Sequence, residues 1–315
     1  MQFYDADAIR AAVPMPALLD AVEAAFRDVA AGRDRSPLRT RVPVAAGDLL
    51  MMPGVRDGGS GTTVKLVTVT PGNAAKGVPT IHAIVVWFDA ATGEPRAVLD
   101  GATVTAMRTG AASGVGTRLM ARPGASVLAL FGTGAQAAWQ VRAVLAARPI
   151  REVRVWARTP GSRHAFAARM AAELGAGVRV VAAVSAEDAL RGADVICCAT
   201  TSTEPIFEPG WVMPGAHVNG VGAYRLDMVE IPPELFGRAA CVAVDARGAA
   251  LEEAGDLVAA IARGLLVADQ LVEIGSIDRD WAARRDPEAV TVFKSVGLAI
   301  QDLAAAELVI RGLGG

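Results

Sequence analysis

The chain has 315 residues, of which 52% are hydrophobic and 20% are charged, and its formal net charge is -2. This length suits two domains with a buried core in each, and the composition indicates a globular fold rather than a disordered or fibrous one. The near-neutral charge, without a long basic run, argues against a partner such as nucleic acid or an anionic membrane surface, so a small-molecule partner is expected.

Neither an export signal nor a membrane span is expected. The N-terminal sequence MQFYDADAIR lacks the basic stretch and apolar region of a signal peptide, and no later stretch approaches about 18 uncharged apolar residues. The three cysteines and three histidines do not show the spacing of metal ligands. We therefore expect a cytoplasmic protein without a metal ion, whose cysteines are thiols of the core.

The N-terminal third predicts a helix and then closely spaced strands. Apolar residues recur at helical spacing from Met15 to Ala31. The strand-like segments that follow are RTRVPV, DLLMMPG, TTVKLVTVT, TIHAIVVWFD and RAVLDG. Their connections are too short for crossover helices, so these strands should form an antiparallel sheet. A helix rich in small residues is predicted next, from Thr103 to Met120.

From Ala125 onward, strands and helices alternate. The strand SVLALFG precedes a helix over residues 136–147, and the strands that follow are EVRVWAR, VRVVAAV, DVICCAT, AHVNGVG and CVAVD. Alternation at roughly 25-residue spacing is typical of parallel βαβ units. The last segment, from Thr291 to Arg311, predicts a helix that is apolar nearly all round and packs back onto the N-terminal sheet.

A glycine-rich loop connects the first strand of this region to its helix. The pattern G-x-G-x-x-A begins at Gly132 and ends at Ala137. Gly132 permits a tight turn, Gly134 lets the backbone approach a pyrophosphate, and the helix N-terminus attracts the phosphates. The sequence therefore predicts an α/β fold, with a Rossmann dinucleotide-binding domain over residues 119–290. An α+β domain with the antiparallel sheet is predicted for residues 1–118 with 291–315.

The end of the second strand of this domain indicates which dinucleotide binds. Residues 156–159 read WART, without the carboxylate that binds the ribose 2′-hydroxyl of NAD. Arg158, together with Arg163, Thr159 and Ser162, offers charge-assisted hydrogen bonds to a 2′-phosphate. NADP(H) is therefore the predicted cofactor, with NAD(H) as an additional one. In the alternative interpretation, Arg158 is only a solvent-exposed residue at the end of the strand.

Several motifs together resemble the ornithine cyclodeaminase and mu-crystallin family. They cover nearly the full length in this order: PLRTRVPV, LLMMPG, VKLVTVTPGN, LDGATVTAMRTGAAS, LFGTGAQA, VNGVGAYRLDMVEI, EEAGDL and TVFKSVG. The resemblance implies a two-domain homodimer whose N-terminal sheet forms the dimer contact. The family includes ornithine cyclodeaminases, ketimine reductases, alanine dehydrogenases and reductases of Δ1-pyrroline-2-carboxylate.

The resemblance also implies roles for four charged residues. Arg39, Lys65 and Arg108 correspond to the family's cations for the substrate carboxylate and for catalysis, and Asp227 corresponds to its catalytic carboxylate. An arginine can bind a carboxylate bidentately, and Lys65 can orient that carboxylate or relay a proton. Asp227 can stabilise an iminium nitrogen, or in the alternative it caps a turn. Arg41 competes with Arg39, which the motif spacing favours.

Further contacts follow from the same correspondence. Met52 and Thr80 are predicted to contact the substrate, although Thr80 is equally well interpreted as an ordinary strand residue. The predicted cofactor-binding residues are Arg108, Thr109, Gly132, Thr133, Gly134, Ala135, Gln136, Trp156, Ala157, Arg158, Thr159, Thr200, Thr201, Ser202, Val221, Gly222, Lys294 and Ser295. Lysine is rare in this chain, since only Lys65, Lys76 and Lys294 occur among 31 basic residues.

Leu50 distinguishes among the activities of the family. Ornithine cyclodeaminases are expected to have a glutamate there for the substrate's amino end, whereas this chain has Leu50 in DLLMMP. An apolar side chain suits the methylene groups of a five- or six-membered ring. The predicted function is NAD(P)H-dependent reduction of a cyclic ketimine carboxylate, either Δ1-pyrroline-2-carboxylate to L-proline or Δ1-piperideine-2-carboxylate to L-pipecolate. The alternatives are ornithine cyclodeamination, an alanine or opine-type dehydrogenase, and an NADP-dependent binding protein similar to mu-crystallin.

Overall fold

The computed structural model describes residues 1–313 and divides the chain into two compact units. The first unit contains residues 1–108 and the segment from Leu298 onward, and the second contains residues 109–297. The sequence predicts the divisions at residues 118 and 291 instead. The helix from Gly101 to Met120 runs without interruption through the first boundary, so the sequence has no turn or composition change at Arg108.

The first unit is built on a six-stranded sheet. Its strands are β1 (Gln2–Tyr4), β2 (Thr40–Val44), β3 (Gly47–Gly54), β4 (Gly61–Val69), β5 (Ile81–Asp89) and β6 (Pro95–Asp100). The order across the sheet is β1-β6-β5-β4-β3-β2. Strands β2 to β6 pair antiparallel, in agreement with their short connections. The short strand β1, which the sequence does not predict, adds a parallel edge beside β6.

Among residues 1–313, three α-helices belong wholly to the first unit. They are α1 (Ala6–Ala12), α2 (Met15–Ala30) and α11 (Ala299–Gly312). The sequence predicts one helix from Thr291 to Arg311, and this prediction is wrong in its first part. Residues Thr291–Lys294 form a strand of the second unit, because the β-branched and aromatic residues of TVFK fit a buried strand.

Helix α11 covers one face of the sheet. Alternate residues of β3 and β4 point toward it, and Leu50, Met52 and Val67 form an apolar cluster with Ala299. Gly54 permits the close approach, since a Cβ atom there would lie 2.7 Å from the carbonyl oxygen of Ala299. Burial of this face stabilises the unit by roughly 25 cal/mol for each Å² of apolar surface removed from water.

The second unit has an eight-stranded parallel sheet. Its strands are β7 (Val127–Phe131), β8 (Glu152–Trp156), β9 (Arg179–Ala182), β10 (Val195–Cys198), β11 (His217–Gly220), β12 (Cys241–Val244), β13 (Val272–Glu273) and β14 (Thr291–Lys294). The order across the sheet is β13-β12-β14-β11-β10-β7-β8-β9. All of these pairings are parallel, which confirms the prediction of a Rossmann-like α/β unit.

The connecting helices of the chain's middle part are mostly short. They are α3 (Gly101–Met120), α4 (Ala137–Ala147), α5 (Pro160–Leu174), α6 (Ala186–Leu190), α7 (Pro233–Arg238), α8 (Arg247–Glu253), α9 (Gly255–Ala262) and α10 (Trp281–Arg284). Within the second unit, the small residues of α3 let it approach its neighbours closely. A Cβ atom at Gly110 would lie 2.5 Å from the carbonyl oxygen of Trp139 on α4.

The buried cysteines and His217 belong to the interior of the second unit. Burial raises the pKa of the Cys197 thiol to about 12, so that thiol is unreactive at neutral pH. His217 contacts Thr291 and Asn219, and burial lowers its pKa to about 3. Within residues 1–313, no three His, Cys, Asp or Glu side chains gather as metal ligands would. No helix in that range has the length and apolar character that crossing a membrane requires.

Candidate functional site

Lys65 is buried in the first unit, on the face of β4 that α11 covers. Its register places it between Met52 of β3 and Val85 of β5, and only 1% of its side chain is exposed. Its Nζ atom lies 2.7 Å from Oδ2 of Asp302, in the first turn of α11. Such an ion pair compensates for the hydration that a buried ammonium group loses.

Asp302 also binds Arg108. The Nε atom of Arg108 donates a hydrogen bond of 3.0 Å to Oδ1 of Asp302, and its Nη1 atom donates one of 3.0 Å to Oε1 of Gln301. The same oxygen of Gln301 accepts a hydrogen bond of 2.8 Å from the backbone N–H of Leu298. One carboxylate therefore joins a lysine from a strand to an arginine from α3.

The surroundings adjust the protonation of Lys65. Burial lowers its pKa to about 7, the positive charges of Arg108 and Arg39 lower it as well, and Asp302 acts in the opposite direction. Burial acts to raise the pKa of Asp302, but Lys65 and Arg108 together hold it below its ordinary value. Lys65 can therefore gain or lose a proton near neutral pH while Asp302 stays ionised.

Arg39 lies just before β2 and is half-buried. It is close enough to Lys65 for its charge to lower the pKa of that residue. The alternative candidate, Arg41, instead donates a hydrogen bond of 2.8 Å to Oδ1 of Asp48. The structure thus favours Arg39 as the third cation near Lys65.

The two predicted uncharged substrate contacts lie in different places. Met52 is buried directly opposite Lys65. Thr80 precedes Ile81, the first residue of β5, whereas Lys65 pairs with Val85 farther along that strand. At about 3.3 Å per residue, Thr80 is roughly 16 Å of strand away from that level. The structure therefore brings Met52 next to Lys65, but not Thr80.

In the second unit, the glycine loop after β7 fits a dinucleotide. Gly132 has a φ of +103°, and a Cβ atom there would lie 2.5 Å from the carbonyl oxygen of Ala199. Only glycine is accommodated at this turn. Gly134 is exposed, and no atom lies within 4 Å of the position that a Cβ atom would take. The loop therefore leaves open space before α4, where a pyrophosphate can approach the backbone.

The sheet topology brings the other predicted cofactor-binding residues of this unit to one edge. Strands β14, β11, β10, β7 and β8 are neighbours and run parallel, so their carboxyl ends meet at the same edge. The predicted residues at or just after these ends are Gly132–Gln136, Trp156–Thr159, Thr200–Ser202, Val221–Gly222 and Lys294–Ser295. Such an edge is where open α/β sheets bind nucleotides.

Glu230 joins two of these loops and was not identified from the sequence. Its Oε1 atom accepts hydrogen bonds from the backbone N–H of Thr200 at 2.5 Å and from the Thr200 hydroxyl at 2.8 Å. Its Oε2 atom accepts from the backbone N–H groups of Gly222 at 2.6 Å and Ala223 at 2.9 Å. Burial raises the pKa of Glu230, although Lys294 and the Thr200 hydrogen bonds act against that rise.

Lys294 and Ser295 have buried side chains. The Nζ atom of Lys294 donates a hydrogen bond of 2.6 Å to the carbonyl oxygen of Ala223 and lies 3.4 Å from Oδ1 of Asp256. The hydroxyl of Ser295 donates one of 2.7 Å to Oδ2 of Asp245. Both side chains therefore stabilise the edge of the sheet from within. Thr109, another predicted cofactor contact, is also buried.

Arg158 lies on the surface beyond the end of β8. It is exposed, and it has no ion-pair partner in the part of the chain that the structure describes. Arg163, by contrast, donates hydrogen bonds to the carbonyl oxygens of Ala157 and Val184. The hydroxyl of Ser162 donates to the carbonyl oxygen of Thr159. Of the groups predicted to bind a 2′-phosphate, Arg158 is the cation whose charge is available.

Asp227 lies at the surface of the second unit, with 60% of its side chain exposed. Its two carboxylate oxygens accept hydrogen bonds of 2.9 and 2.5 Å from Nε and Nη2 of Arg225. The predicted catalytic carboxylate is therefore paired with its neighbour in the chain.

Asp302 and Gln301 contact predicted site residues of the first unit but were not identified from the sequence. A signal was present, because the segment AIQDLAAAELVI was predicted as a buried helix and still contains Asp302 and Glu307. A carboxylate on a buried face requires a cationic partner. Glu307 has such a partner in Arg56, and Asp302 has two.

Comparison with known proteins identifies the family. The model of the ornithine cyclodeaminase/mu-crystallin family matches residues 2–313. The chain belongs to this family. It is 39% identical over 299 residues to a Δ1-pyrroline-2-carboxylate reductase of Bacillus cereus, covering 92% of this chain and 91% of the relative. It is 40% identical over 297 residues to the ketimine reductase mu-crystallin of Mus musculus, covering 93% and 90%.

A solved structure shares the complete fold. The Δ1-pyrroline-2-carboxylate reductase of Thermococcus litoralis, in complex with NADH and L-proline, superimposes with a TM-score of 0.91 at 32% sequence identity. The match covers 99% of this chain and 97% of that protein. The family and fold expected from the sequence motifs are confirmed by these matches.

Proposed function

We propose that this protein reduces a cyclic ketimine carboxylate with NAD(P)H, with Δ1-pyrroline-2-carboxylate to L-proline as the leading reaction and Δ1-piperideine-2-carboxylate to L-pipecolate as its larger analogue. The observation that carries the proposal is the buried set of Lys65, Arg108 and Asp302, with Arg39 nearby. Two buried cations that share one fixed carboxylate leave positive charge for an anionic substrate. The reductase relatives among the family members support the same reaction.

The arginines bind the substrate carboxylate in this proposal. Asp302 and Gln301 accept from Nε and Nη1 of Arg108, and its Nη2 atom has no acceptor among the described residues. Those N–H groups are suited to a carboxylate oxygen, and Arg39 adds a second positive charge. Binding the carboxylate fixes the orientation of the ring and of its C=N bond.

Lys65 serves as the proton-exchanging group. Reduction of the C=N bond adds a hydride to carbon and a proton to nitrogen, and bound NAD(P)H supplies the hydride. Because burial lowers its pKa to about 7, Lys65 can exchange a proton near neutral pH and pass it toward the nitrogen. Met52, opposite Lys65, contributes an apolar surface that excludes water from the ring.

We retain Asp227 as the carboxylate that stabilises the iminium nitrogen. Its charge is opposite to that of an iminium ion, and its contacts with Arg225 orient the carboxylate. Asp227→Asn should leave dinucleotide binding intact and lower turnover. Unchanged turnover would remove Asp227 from the mechanism.

We infer that NADP(H) is preferred and that NAD(H) is also used. The exposed Arg158 guanidinium at the end of β8 supports this preference, since it can bind a 2′-phosphate bidentately. Arg158→Ala should raise KM for NADPH at least tenfold, because a lost hydrogen bond to a charged group costs about 1.5–3 kcal/mol, and should leave KM for NADH within twofold. Equal effects on both cofactors would contradict the inference.

The position of Leu50 argues against ornithine cyclodeamination. Its side chain is buried in the apolar cluster with Met52, Val67 and Ala299. An ammonium group of ornithine would find no anionic partner at this position, and burying it unpaired would be costly. The methylene groups of a ring imine suit this surface better.

We further propose that the protein is a homodimer formed through the first unit's sheet. On the face opposite Lys65, the strands carry half-exposed or exposed apolar residues, which are Val42, Val44, Leu49, Met51, Val64, Leu66, Ile84 and Val86. A contiguous apolar surface of this kind is typical of an interface between subunits. The cytoplasmic location stays a prediction of the sequence.

The function is tested with purified protein and a panel of substrates. Each cyclic imine is supplied with NADPH or NADH, L-ornithine with NAD⁺, L-alanine with NAD⁺, and pyruvate with ammonia or methylamine and NADPH. We expect loss of reduced-nicotinamide absorbance with the cyclic imines. Release of ammonia from ornithine, or reduction of NAD⁺ by alanine, without imine reduction would overturn the proposal. Dinucleotide binding with no turnover of any substrate would instead indicate a binding protein.

A further inference from the structure

Asp302 is the one carboxylate that the described residues place against both Lys65 and Arg108. Its two oxygens are divided between them, with Oδ2 at 2.7 Å from Nζ of Lys65 and Oδ1 at 3.0 Å from Nε of Arg108. The residue is 1% exposed, so water does not compete for these contacts. It also lies in the first turn of α11, where the positive end of the helix dipole favours a negative charge.

These contacts do not use all the hydrogen-bond donors of Lys65 and Arg108. Lys65 has three N–H donors and Arg108 has five. Asp302 forms an ion pair with Lys65 and accepts a hydrogen bond from Arg108, and Gln301 accepts one more hydrogen bond from Arg108. The backbone N–H of Leu298 fixes the Gln301 amide in turn. The Lys65 ammonium and the Arg108 guanidinium are therefore held together, although their like charges would otherwise drive them apart.

We propose that Asp302 is a positioning residue, which holds Lys65 and Arg108 side by side so that Arg108 binds the substrate carboxylate while Lys65 exchanges its proton with the same bound substrate. The identity of that carboxylate rests on the proposed ketimine reductase function. The ion-pair geometry of Asp302 supports the positioning role and does not depend on whether the protein turns over that substrate. Asp302 does not itself bind the substrate, since its two oxygens are occupied by the two cations.

The charge of Asp302 has a measurable effect on Lys65. The charged groups that face Lys65 are Asp302 from α11, Arg108 from α3, and Arg39 from the segment before β2. Without the carboxylate, the positive charges of Arg108 and Arg39 and the complete burial would all disfavour the protonated form of Lys65. We therefore expect Asp302→Asn, which keeps the size of the side chain, to lower the pKa of Lys65 further by about one unit or more.

Nuclear magnetic resonance of the lysine side chains measures this shift directly. The chain has only three lysines, Lys65, Lys76 and Lys294, so labelled lysine gives three side-chain signals. The Lys65 signal is assigned by its loss in Lys65→Met. Each sample is titrated between pH 5 and 10, without substrate, in the wild type and in Asp302→Asn.

Glu307→Gln is the matched control. Glu307 lies on the same helix, is similarly buried, and forms an ion pair with Arg56. Its loss should destabilise α11 without changing the titration of Lys65. If Asp302→Asn and Glu307→Gln both lower the stability and both leave the Lys65 titration unchanged, Asp302 has only a structural role and the proposal is wrong.

Ligand binding and steady-state kinetics provide a second test of the positioning role. Titration of L-proline into the protein with NADP⁺ should show at least tenfold weaker binding for Asp302→Asn. In imine reduction, KM should rise more than kcat falls, and the high-pH limb of kcat/KM should move to lower pH, because Lys65 would lose its proton earlier. An unchanged pH profile with an unchanged proline affinity would overturn the proposal.

Failure of the proposed function and failure of the positioning role can be distinguished experimentally. If the wild type does not reduce imines, the proposed function fails, and the lysine titration still decides whether Asp302 controls Lys65. If Asp302→Asn does not fold, Asp302→Glu replaces it, because the charge is kept while the carboxylate is displaced by one methylene group. A folded Asp302→Glu protein with wild-type Lys65 titration and wild-type proline affinity would contradict a positioning role.

Discussion

Replacing Glu230 with glutamine removes one of the two acceptor oxygens that join the loops at the edge of the parallel sheet. The carboxylate accepts four hydrogen bonds, two from Thr200 and one each from the backbone N–H groups of Gly222 and Ala223. A glutamine amide retains one acceptor oxygen and presents an NH₂ group in place of the other. Two of the four donors therefore lose their acceptor, whichever way the amide turns.

The magnitude follows from those two donors. A buried donor left unsatisfied costs about 1–3 kcal/mol, so the loss is roughly 2–6 kcal/mol for the pair. Part of this is offset, because burial raises the pKa of Glu230 and its ionised form is itself costly to bury. We expect the free energy of unfolding to fall by about 2 kcal/mol or more. Because Thr200 and Gly222 are predicted cofactor contacts, dinucleotide affinity should fall as well.

Urea denaturation and a fluorescence titration with NADPH test both consequences. Glu234→Gln is the control, since Glu234 is a partly exposed residue of the same unit paired with Arg263, and a solvated surface pair contributes little to stability. If Glu230→Gln unfolded at the same urea concentration as the wild type and bound NADPH equally well, Glu230 would not organise these loops.

Three further changes test other parts of the structure. Gly132→Ala should lower the free energy of unfolding by about 2 kcal/mol and abolish dinucleotide binding, because Gly132 has a positive φ and a Cβ atom there would contact Ala199. Gly134→Ala should weaken dinucleotide binding without lowering the stability. Equal losses of stability for the two variants in urea denaturation would contradict this prediction. Leu66→Arg should convert the proposed dimer to a monomer in light scattering, and an unchanged mass would locate the interface elsewhere. Burial lowers the pKa of Lys65 from 10.5 to about 7, so the unfolded state binds more protons across that range. Stability should then rise with pH between about 7 and 10, and Lys65→Met should remove this rise in urea titrations at fixed pH values.

The predictable part of the fold depends on local patterns. Strands β2 to β6 alternate or carry β-branched residues between turn signals, and the glycine loop follows a clear strand. The sequence prediction failed at TVFK, which is apolar like the helix that follows it. Because β14 is buried between β11 and β12, its sequence shows no alternation, and a short apolar run of this kind is equally compatible with a helix.

The site could be predicted only in part for a related reason. Arg39, Lys65 and Arg108 belong to motifs, and in the structure Arg108 and Lys65 contact the same carboxylate. Asp302 and Glu230 were not predicted as site residues because the groups that they bind are distant from them in the sequence. A periodic pattern indicates which residues are buried, but it does not indicate which buried cation each acid pairs with.

The distance in sequence between Lys65 and Asp302 has a consequence for synthesis of the protein. The second unit is contained in residues 109–297, whereas the first requires the segment from Leu298 onward. A ribosome that has completed residue 297 has produced a whole dinucleotide-type unit, but Lys65 still lacks its carboxylate. Chains that terminate before Leu298 would therefore contain the proposed dinucleotide site but lack the ion pair on which the proposed chemistry depends, because α11 supplies its carboxylate.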